Sequence, residues 1–419
     1  MRRGDRLTLT IERPAAGGRM IARHEGAIVF VAGAIPGEVV DAEVEKVQRG
    51  TGWAITREVK SASPDRLADA PDGACGGSVL AHVRYERQLE IKIAIVEDTL
   101  RRLGRITLDA RPPITGSPVD GYRMRARLHV RNRKIGFFRE ATHSLCDAAP
   151  TRQLHPGAID MLRSLEASLA TLERDTVSEI DLSENIDASQ RAIHLELVEG
   201  GDPSRLAAIT TVAGLTGASC APPESRRTQE LWGSTTVADT VGGVRLERQA
   251  RSFFQGNRFL LQPLVDHVLS HLTATPVLDL YAGVGLFSVT AAAAGRGPVT
   301  AIEGDRFAAA DLRSNAAQRD DVAVEADAVE SYLKHAQPRA GTVIVDPPRT
   351  GLSKEALAGA IAVRAPRLVY VSCDVATLAR DARSLIDSGY EIASVRAFDL
   401  FPTTAHVETV IAFSRSQPR

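Results

Sequence analysis

Short apolar runs alternate with helix-forming segments throughout the last third of the chain. Such alternation is typical of a parallel sheet with helices on both faces, because each helix returns the chain to the start of the next strand. The pattern therefore predicts an α/β domain with a doubly wound, Rossmann-like sheet. The runs that we assign to strands cover residues 276–280, 299–303, 322–325, 342–345, 368–371 and 407–414.

Two of these runs end abruptly in polar or reactive residues. The sequence Asp-Pro-Pro-Arg begins at Asp346 after one run, and Ser-Cys-Asp is centred on Cys373 after the next. In an open α/β sheet, ligands bind outside the carboxyl ends of the strands. We therefore expect Asp346 and Cys373 at one crevice, where a carboxylate can hold a planar amide or amine and a thiolate can act as a nucleophile. The alternatives are an ordinary proline turn and a cysteine that packs as a small hydrophobic residue.

A glycine-containing turn follows the first predicted strand. Gly283 and Gly285 form G-x-G, but Ser288 stands where a dinucleotide-binding turn has its third glycine. The turn therefore suits a cofactor that lacks a pyrophosphate. Glu303, at the end of the second strand, can accept hydrogen bonds from two ribose hydroxyls. A ribose without a pyrophosphate points to S-adenosylmethionine.

Glu408 lies at the start of the otherwise apolar last strand. A carboxylate there is costly to bury unless it is exposed or functional. A desolvated glutamate has a raised pKa and can act as a base. Simple exposure at the end of the strand is the alternative.

The first two thirds of the chain carry different patterns. Residues 1–62 alternate apolar and polar residues between glycine turns, which predicts a small OB-like β-barrel. Residues 63–250 predict a mixed α+β central domain, with a helix at 85–103 and strands at 192–197 and 241–246. Residues 251–419 form the predicted Rossmann-like domain.

A basic stretch in the central domain predicts contact with nucleic acid. Arg123, Arg125 and Arg127 recur at period two, so they share one face of a strand, and Phe137 and Phe138 follow closely. Arginines neutralise phosphates and aromatic rings stack on bases. The alternative is a solvated basic strand that acidic neighbours balance.

The composition is that of a soluble globular protein, and we expect it in the cytoplasm. The net charge is −1 and no apolar run is long enough to span a membrane. The start of the chain is basic but has no apolar segment of a signal peptide. The four cysteines form no C-x-x-C pair, so a disulfide framework is not expected in that compartment. We expect a monomer without a membrane partner.

Several segments together resemble one enzyme family. The segments FFQGN, DLYAGVGLF, AIEGD, DPPRTGL, YVSCDVATLARD and FPTTAHVETV occur in this order, and GAIVFVAGAIPGEVVDAEV resembles the TRAM domain. The whole set resembles the S-adenosylmethionine-dependent RNA 5-methyluridine methyltransferases. The resemblance implies that Cys373 adds to C6 of a uracil, which activates C5 for methylation, and that Glu408 then removes the C5 proton.

The resemblance and the basic stretch together define two sets of candidate binding residues. One set is expected to contact S-adenosylmethionine, and the other is expected to contact the RNA. The cofactor set is Gln255, Tyr281, Gly283, Glu303, Asp327 and Asp346. The substrate set is Arg123, Arg125, Phe254, Asp346 and Arg349.

The chain departs from the family pattern in three places. Leu286 stands where relatives often have a polar asparagine, and Asp374 and Val375 change the segment after the nucleophile. Only Cys75 and Cys146 remain of the four cysteines that ligate an iron–sulfur cluster in many relatives. A cubane cluster needs four ligands, so we expect no cluster and no metal. These two cysteines are expected as packed thiols or weak metal ligands.

The resulting prediction is an RNA methyltransferase that acts on C5 of a uridine in structured RNA. The barrel favours ribosomal RNA over transfer RNA, by analogy with the family. Three alternatives stay open: methylation of uridine C5 in transfer RNA, methylation of an exocyclic amine by the DPPR loop with Cys373 idle, and a non-catalytic RNA-binding homologue.

Overall fold

The computed structural model describes residues 1–140, 142–172, 175–223, 225, 227–273, 275–336 and 338–415. The last four residues of the predicted C-terminal domain, 416–419, therefore lie outside the described residues. Within the described ranges, no helix is both long and apolar enough to cross a bilayer.

The chain begins with a closed five-stranded barrel, as the glycine-punctuated alternation predicts. Neighbouring strands follow the order β1-β2-β3-β5-β4, and only β3 and β5 run parallel. Every second residue of β1 is buried, so Leu7, Leu9 and Ile11 fill the interior while the residues between them face solvent. The strands are β1 (Arg6–Pro14), β2 (Met20–His24), β3 (Ala27–Ala32), β4 (Val39–Gln48) and β5 (Thr51–Ser61).

A long helix connects the barrel to the C-terminal sheet. It is α1 (Tyr85–Arg102), which confirms the predicted helix. Ile91 and Ile95 pack into the barrel core, whereas Ile93 and Val96 pack into the core on one face of the C-terminal sheet. The helix therefore has apolar residues on two sides, and a shift of α1 would disturb both cores.

The central region is built around a seven-stranded sheet with the order β13-β12-β11-β10-β7-β8-β9. One face packs against α2 through residues such as Met161 and Leu165. Two strands of this region leave the sheet and form the hairpin β14–β15. The elements of this part are β6 (Ile114–Thr115), β7 (Arg125–Arg131), β8 (Lys134–Phe138), β9 (Leu145–Cys146), α2 (Pro156–Ala170), β10 (Val177–Glu184), β11 (Arg191–Leu197), β12 (Gly217–Ala221), β13 (Gln229–Gly233), β14 (Thr236–Val241) and β15 (Val244–Gln249).

The predicted strand at 241–246 is wrong, because these residues contain a hairpin turn. Gly242 and Gly243 adopt positive φ angles of 59° and 76°, and the chain reverses between β14 and β15. Two consecutive residues with positive φ are typical of a tight hairpin connection. The apolar residues on either side, Val241 and Leu246, belong to the core of the C-terminal sheet.

The C-terminal sheet confirms the predicted doubly wound fold. The strand order is β18-β17-β16-β19-β20-β22-β21-β6, in which β22 runs antiparallel to its neighbours. Helices α3–α5 cover one face, and α1 with α6–α8 covers the other. The elements are α3 (Leu261–Ser270), β16 (Val277–Leu280), α4 (Leu286–Ala293), β17 (Val299–Ile302), α5 (Arg306–Ala316), β18 (Val322–Glu325), α6 (Val329–Ala336), β19 (Thr342–Val345), α7 (Lys354–Ala362), β20 (Arg367–Ser372), α8 (Val375–Asp387), β21 (Glu391–Phe398) and β22 (Glu408–Ser414).

Cys75 and Cys146 form a disulfide, which corrects the expectation of separate thiols. The two Cα atoms are 5.9 Å apart although 71 residues separate them in sequence. Cys146 pairs with Phe137 between β9 and β8, and Cys75 forms a bridge with Arg139 just beyond β8. The separation of the two cysteines along the chain does not reveal this proximity, because the β8–β9 pairing creates it.

Candidate active site

A cavity of about 570 Å³ opens at the carboxyl ends of β16, β19 and β20. The first residue of β22 closes it from the antiparallel side of the sheet. The cavity lies where the strand order reverses, which is the place where open α/β sheets bind ligands. The predicted site residues that line it are Phe254, Gln255, Tyr281, Gly283, Glu303, Asp346, Arg349, Cys373 and Glu408.

The glycine turn after β16 forms one wall of the cavity. Tyr281 has a φ angle of 64° and Gly283 one of 58°, so the chain turns sharply before α4. A Cβ atom on Gly283 would meet no atom within 4 Å, which indicates that the peptide faces open space. Glu303 fixes the turn by accepting hydrogen bonds from the backbone N–H of Gly283, at 2.8 Å, and of Asp305, at 2.6 Å.

Asp279 lies beneath this turn with a buried carboxyl group. Ser288, in the first turn of α4, is the hydrogen-bonding neighbour of this carboxyl group. Burial, followed by the negative charge of Asp346, raises the pKa of Asp279 to about 8, against the smaller opposing influence of Ser288. Asp279 is fully buried and is not among the residues that line the cavity, so its link to the site is the electrostatic one with Asp346.

Asp346 begins the DPPR loop and faces the cavity. Its Oδ2 atom accepts a hydrogen bond of 3.1 Å from the side-chain amide of Gln255. Burial raises the pKa of Asp346 to about 7, the Gln255 hydrogen bond opposes this shift, and the charge of Glu303 adds to it. The loop is fixed to α8, because Thr377 Oγ1 donates to the Arg349 carbonyl and the Leu352 N–H donates to Asp381.

Cys373 follows β20 and directly precedes α8. Burial and the charge of Glu408 raise its pKa to about 12, while the positive charge of Arg349 lowers it. Asp374 caps α8 by accepting from the Thr377 N–H at 2.8 Å, which gives this departure from the family pattern a structural role. In the free protein the sulfur is therefore protonated, and its activation depends on nearby positive charge.

Glu408 stands at the start of β22 and is only 2% exposed, so the alternative of simple exposure is wrong. Its backbone pairs with Phe398 on β21. Burial and then Asp346 raise its pKa well above the usual range, and Arg349 opposes the shift. A buried carboxylate with a raised pKa is a stronger base than an exposed one.

The arrangement combines four chemical functions in one cavity. Cys373 offers a nucleophile, Glu408 a base, and Asp346 with Gln255 a hydrogen-bonding edge for a planar ring. The turn at Gly283 with Glu303 offers donors and acceptors for a nucleoside. The open space at Gly283 and the carboxyl groups of Glu303 and Asp346 fit S-adenosylmethionine, whose adenosine and charged methionine parts need such groups.

Three predicted residues do not line the cavity. Asp327 follows β18, is exposed, and accepts a hydrogen bond from its neighbour Ala328. Arg123 precedes β7 instead of lying within it, and its guanidinium donates to Gln153 at 2.6 Å. Arg125 donates to the Ser252 carbonyl and lies 5.6 Å from the ring centre of Phe253, which does line the cavity.

The acidic neighbours predicted as the alternative for the basic stretch are present at several positions, since Lys134 pairs with Glu166 and Arg139 with Asp72. Among the three alternating arginines they are present at one. Arg127 donates to Asp181 on the adjacent strand β10 at 3.1 Å. Arg123 and Arg125 instead donate to amide and carbonyl groups. Among the described residues, therefore, no carboxylate in direct hydrogen-bond contact balances the positive charge of Arg123 or Arg125.

Sequence reasoning missed several cavity residues. Phe253 lines the mouth of the cavity and is 58% exposed, whereas only its neighbour Phe254 in the FFQGN segment is a predicted substrate-binding residue. Arg251 and Phe401 also line the cavity. Their positions in loops gave no periodic signal, although Phe401 belongs to the FPTTAHVETV segment that carries Glu408.

Comparisons with known proteins agree with this fold. The family model described as tRNA (Uracil-5-)-methyltransferase matches residues 333–416, and the TRAM domain model matches residues 2–55. An uncharacterized RNA methyltransferase of Halalkalibacterium halodurans is 30% identical, over 97% of this chain and 96% of its own length.

Two further relatives carry a specific name. The 23S rRNA (uracil(1939)-C(5))-methyltransferase RlmD of Alkalilimnicola ehrlichii is 33% identical over 95% of this chain and 94% of its own. The RlmD of Halomonas elongata is 32% identical over 97% and 89%.

Among solved structures, the Pyrococcus abyssi tRNA (uracil-54, C5)-methyltransferase in complex with S-adenosyl-L-homocysteine matches with a TM-score of 0.76. Its sequence identity is 24%, and the match covers 97% of this chain and all of the other. At this identity the likeness is one of fold.

Proposed function

The chain belongs to the TRAM-containing family of S-adenosylmethionine-dependent RNA uracil-C5 methyltransferases, and from this premise we propose that it methylates C5 of a uridine in ribosomal RNA. The observation that carries the proposal is the meeting of Cys373, Glu408 and Asp346 in the cavity that also contains the glycine turn and Glu303. Each of these groups can be assigned a role in the methylation of uracil C5.

Cys373 is the proposed nucleophile, because C5 of uracil is a weak nucleophile until a group adds to C6. The sulfur forms a bond to C6, and the electron pair of the C5–C6 double bond moves toward the O4 carbonyl. Arg349 supports the thiolate that this step needs, since its positive charge opposes the raised pKa of Cys373. Asp346, held by Gln255, is placed to hydrogen-bond the edge of the ring.

S-adenosylmethionine supplies the electrophilic methyl group that C5 takes. We assign its binding to Gln255, Tyr281, Gly283, Glu303 and Asp346, which line the cavity together. Asp327 remains a weaker candidate at the adenine end, since it lies outside the cavity wall. Leu286 lines the cavity with an apolar side chain and offers no hydrogen bond there.

Glu408 is the proposed base for the final step. Its carboxylate takes the proton from C5, the C–H electron pair re-forms the C5–C6 double bond, and the C6–sulfur bond breaks to release the Cys373 thiolate. The buried position of Glu408 raises its pKa and so favours proton uptake.

Ribosomal RNA is the proposed substrate because both named relatives above 30% identity act, by their names, on 23S rRNA. We assign RNA binding to the barrel within residues 1–62 and to the central domain within 63–250, where Arg123 and Arg125 lie. Methyl transfer is assigned to residues 251–419. The target base must leave its stack to reach the cavity, as for other enzymes that modify bases.

The test is methylation of ribosomal RNA by the purified full-length protein with labelled S-adenosylmethionine. The expected product is 5-methyluridine, and RNA containing 5-fluorouridine should form an adduct that survives denaturation. Cys373→Ala should abolish both, with a loss of at least about a thousandfold. The matched control is Cys220→Ala, which replaces the other free cysteine, buried in the central sheet.

Two outcomes would replace the proposal. Methylation that persists in Cys373→Ala would indicate transfer to an exocyclic amine, with the DPPR loop acting alone. Absence of methylation, together with retained RNA binding, would indicate a non-catalytic homologue.

Transfer RNA is the second candidate substrate. It is favoured by the printed names of the matching family model and of the Pyrococcus abyssi structure. Equal amounts of ribosomal and transfer RNA transcripts in one reaction distinguish the two. A higher kcat/KM on transfer RNA would reverse the assignment.

A further inference from the structure

The loop between β21 and β22, residues 399–407, leads directly into the proposed base Glu408. It also supplies Phe401 to the cavity wall. Asp399 follows Phe398, and the backbone of Phe398 pairs with that of Glu408. The two ends of the loop therefore meet beside the base, and any shift of the loop changes where the Glu408 carboxylate stands.

Four consecutive carbonyl groups of this loop accept hydrogen bonds from outside the C-terminal sheet. The donors come from the segment before α1, from α1 itself, from the segment before β7 and from the FFQGN segment. The Leu400 carbonyl accepts from Asn257 at 3.0 Å, that of Phe401 from Lys92 at 2.9 Å, that of Pro402 from Tyr122 at 3.3 Å and that of Thr403 from the Leu80 N–H at 2.8 Å.

Lys92 makes the strongest of these connections. Its side chain is fully buried, and its Nζ atom lies 2.5 Å from Asp399 Oδ1 as well as 2.9 Å from the Phe401 carbonyl. Lys92 thus ties the first residue of the loop to a residue of the cavity wall. One turn earlier on α1, Gln88 accepts a hydrogen bond from the Thr403 N–H at 2.9 Å.

The loop also holds a conformation that it would not adopt alone. Thr403 has a φ angle of 65°, which is rare for a β-branched residue, and its buried hydroxyl lacks a partner among the described residues. Such conformations persist only where the surroundings impose them, and they concentrate at functional sites.

We propose that Lys92, through Asp399 and the Phe401 carbonyl, is a positioning residue for Glu408 in the last step of methyl transfer. The inference rests on the proposed function. In that step Glu408 takes the C5 proton, the C5–C6 double bond re-forms and the Cys373 thiolate leaves. A misplaced carboxylate slows this step but not the earlier bond from sulfur to C6, so the methylated RNA remains attached to Cys373.

The experiment measures two quantities for full-length variants with labelled S-adenosylmethionine and ribosomal RNA. These are kcat and the fraction of enzyme that carries methylated RNA when steady-state reactions are stopped in denaturant. Lys92→Met should lower kcat about 10- to 100-fold, leave KM for RNA within about threefold of wild type, and raise the attached fraction. Glu408→Gln lacks the proposed base, so it should give the largest fraction of enzyme with attached methylated RNA.

Two variants separate positioning from folding. Arg191→Met is the matched control, because it breaks another buried ion pair, between Arg191 on β11 and Glu184 on β10 of the central sheet, while Glu184 keeps Arg258 as a partner. Lys92→Met combined with Asp399→Asn removes the unpaired buried charge and so restores stability, but it does not restore the lysine. The double variant should melt closer to wild type and still accumulate the attached RNA.

Three results would overturn the inference or its premise. Lys92 would have a purely structural role if the kcat of Lys92→Met fell only in proportion to the folded fraction and no methylated RNA stayed attached. A double variant that regains full kcat would lead to the same conclusion. Wild-type protein that forms no 5-methyluridine would reject the proposed function itself, before any variant is compared.

Discussion

Gln255 donates its side-chain amide to Asp346 across 3.1 Å, and so joins the FFQGN segment to the carboxyl end of β19. The hydrogen bond belongs to a cavity lined by three carboxyl groups, Glu303, Asp346 and Glu408, and a fourth, Asp279, is buried nearby on β16. Glu303 raises the pKa of Asp346, and Asp346 raises that of Asp279. Burial and mutual repulsion favour the protonated, neutral form of these carboxyl groups. A cation that binds in the cavity would favour their ionised form instead.

Binding of S-adenosylmethionine should therefore strengthen as the pH rises from 6 to 8. Its sulfonium favours ionised Asp346, which lines the cavity and has a pKa of about 7 in the free protein. S-adenosylhomocysteine lacks that positive charge. The ratio of the two dissociation constants should shift up to about tenfold per pH unit for each proton released. Calorimetry at three pH values measures it, and a constant ratio would contradict the prediction.

The two glycines of the turn after β16 should respond differently to alanine. A Cβ on Gly285 would lie 2.6 Å from Val289 and 2.8 Å from Leu312, whereas one on Gly283 would meet open space. Gly285→Ala should destabilise the fold by about 2–4 kcal/mol. Gly283→Ala should cost about 1–2 kcal/mol but weaken S-adenosylmethionine binding at least about tenfold, because the methyl group enters the cavity. Thermal melts and calorimetry distinguish the two variants, and equal binding by wild type and Gly283→Ala would argue against this cofactor site.

Asp279→Asn should stabilise the protein more at pH 8 than at pH 5. The pKa of Asp279 is about 8 in the folded protein and about 4 in the unfolded chain. Between these values the folded state retains a proton that the unfolded state loses, so the stability of the wild type falls as the pH rises. The slope is at most about 1.4 kcal/mol per pH unit. The difference in Tm between variant and wild type should therefore grow with pH.

The control for this prediction is Asp327→Asn, which changes an exposed aspartate near the same end of the sheet. It should leave Tm unchanged at both pH values. A Tm difference for Asp279→Asn that is the same at pH 5 and pH 8 would show that the carboxyl group does not keep its proton in the folded state.

The rate of attachment to RNA should rise with pH across the range from 7 to 9. Burial and Glu408 raise the pKa of Cys373 to about 12, so each pH unit increases the thiolate fraction of the free protein about tenfold. Arg349→Met removes the nearby positive charge and should lower the rate at every pH, while Lys354→Met, on the first turn of α7, should have little effect. Rates of adduct formation with 5-fluorouridine RNA measure this, and a flat profile would exclude thiolate formation as a limiting step.

The sequence contained enough information to predict the C-terminal sheet and most of its cavity. Parallel strands that are buried on both faces read as continuous apolar runs, and residues after such strands necessarily meet at one edge. For this reason Asp346 and Cys373 could be placed together without coordinates. Glu408 was harder to place, because only the antiparallel pairing of β22 with β20 brings its start to the same edge.

Contacts that depend on long-range packing could not be read from the sequence. The turn at Gly242 lies inside an apolar run that also suits a strand, so the hairpin was missed. The disulfide depends on the pairing of β8 and β9. In the sequence, Lys92 is a polar residue within a helical pattern. Helical periodicity does not reveal that α1 packs against two cores at once, so the burial of Lys92 could not be predicted.

The anchoring of the loop at residues 399–407 limits how the enzyme can be simplified. A fragment that starts at Arg251 would retain the cavity-forming strands and Asn257, yet three of the four donors to consecutive loop carbonyls, from Leu80, Lys92 and Tyr122, would be absent. We therefore expect the smallest catalytic unit to extend back at least to Leu80. An exchange of the N-terminal parts between relatives would have to preserve these three donors.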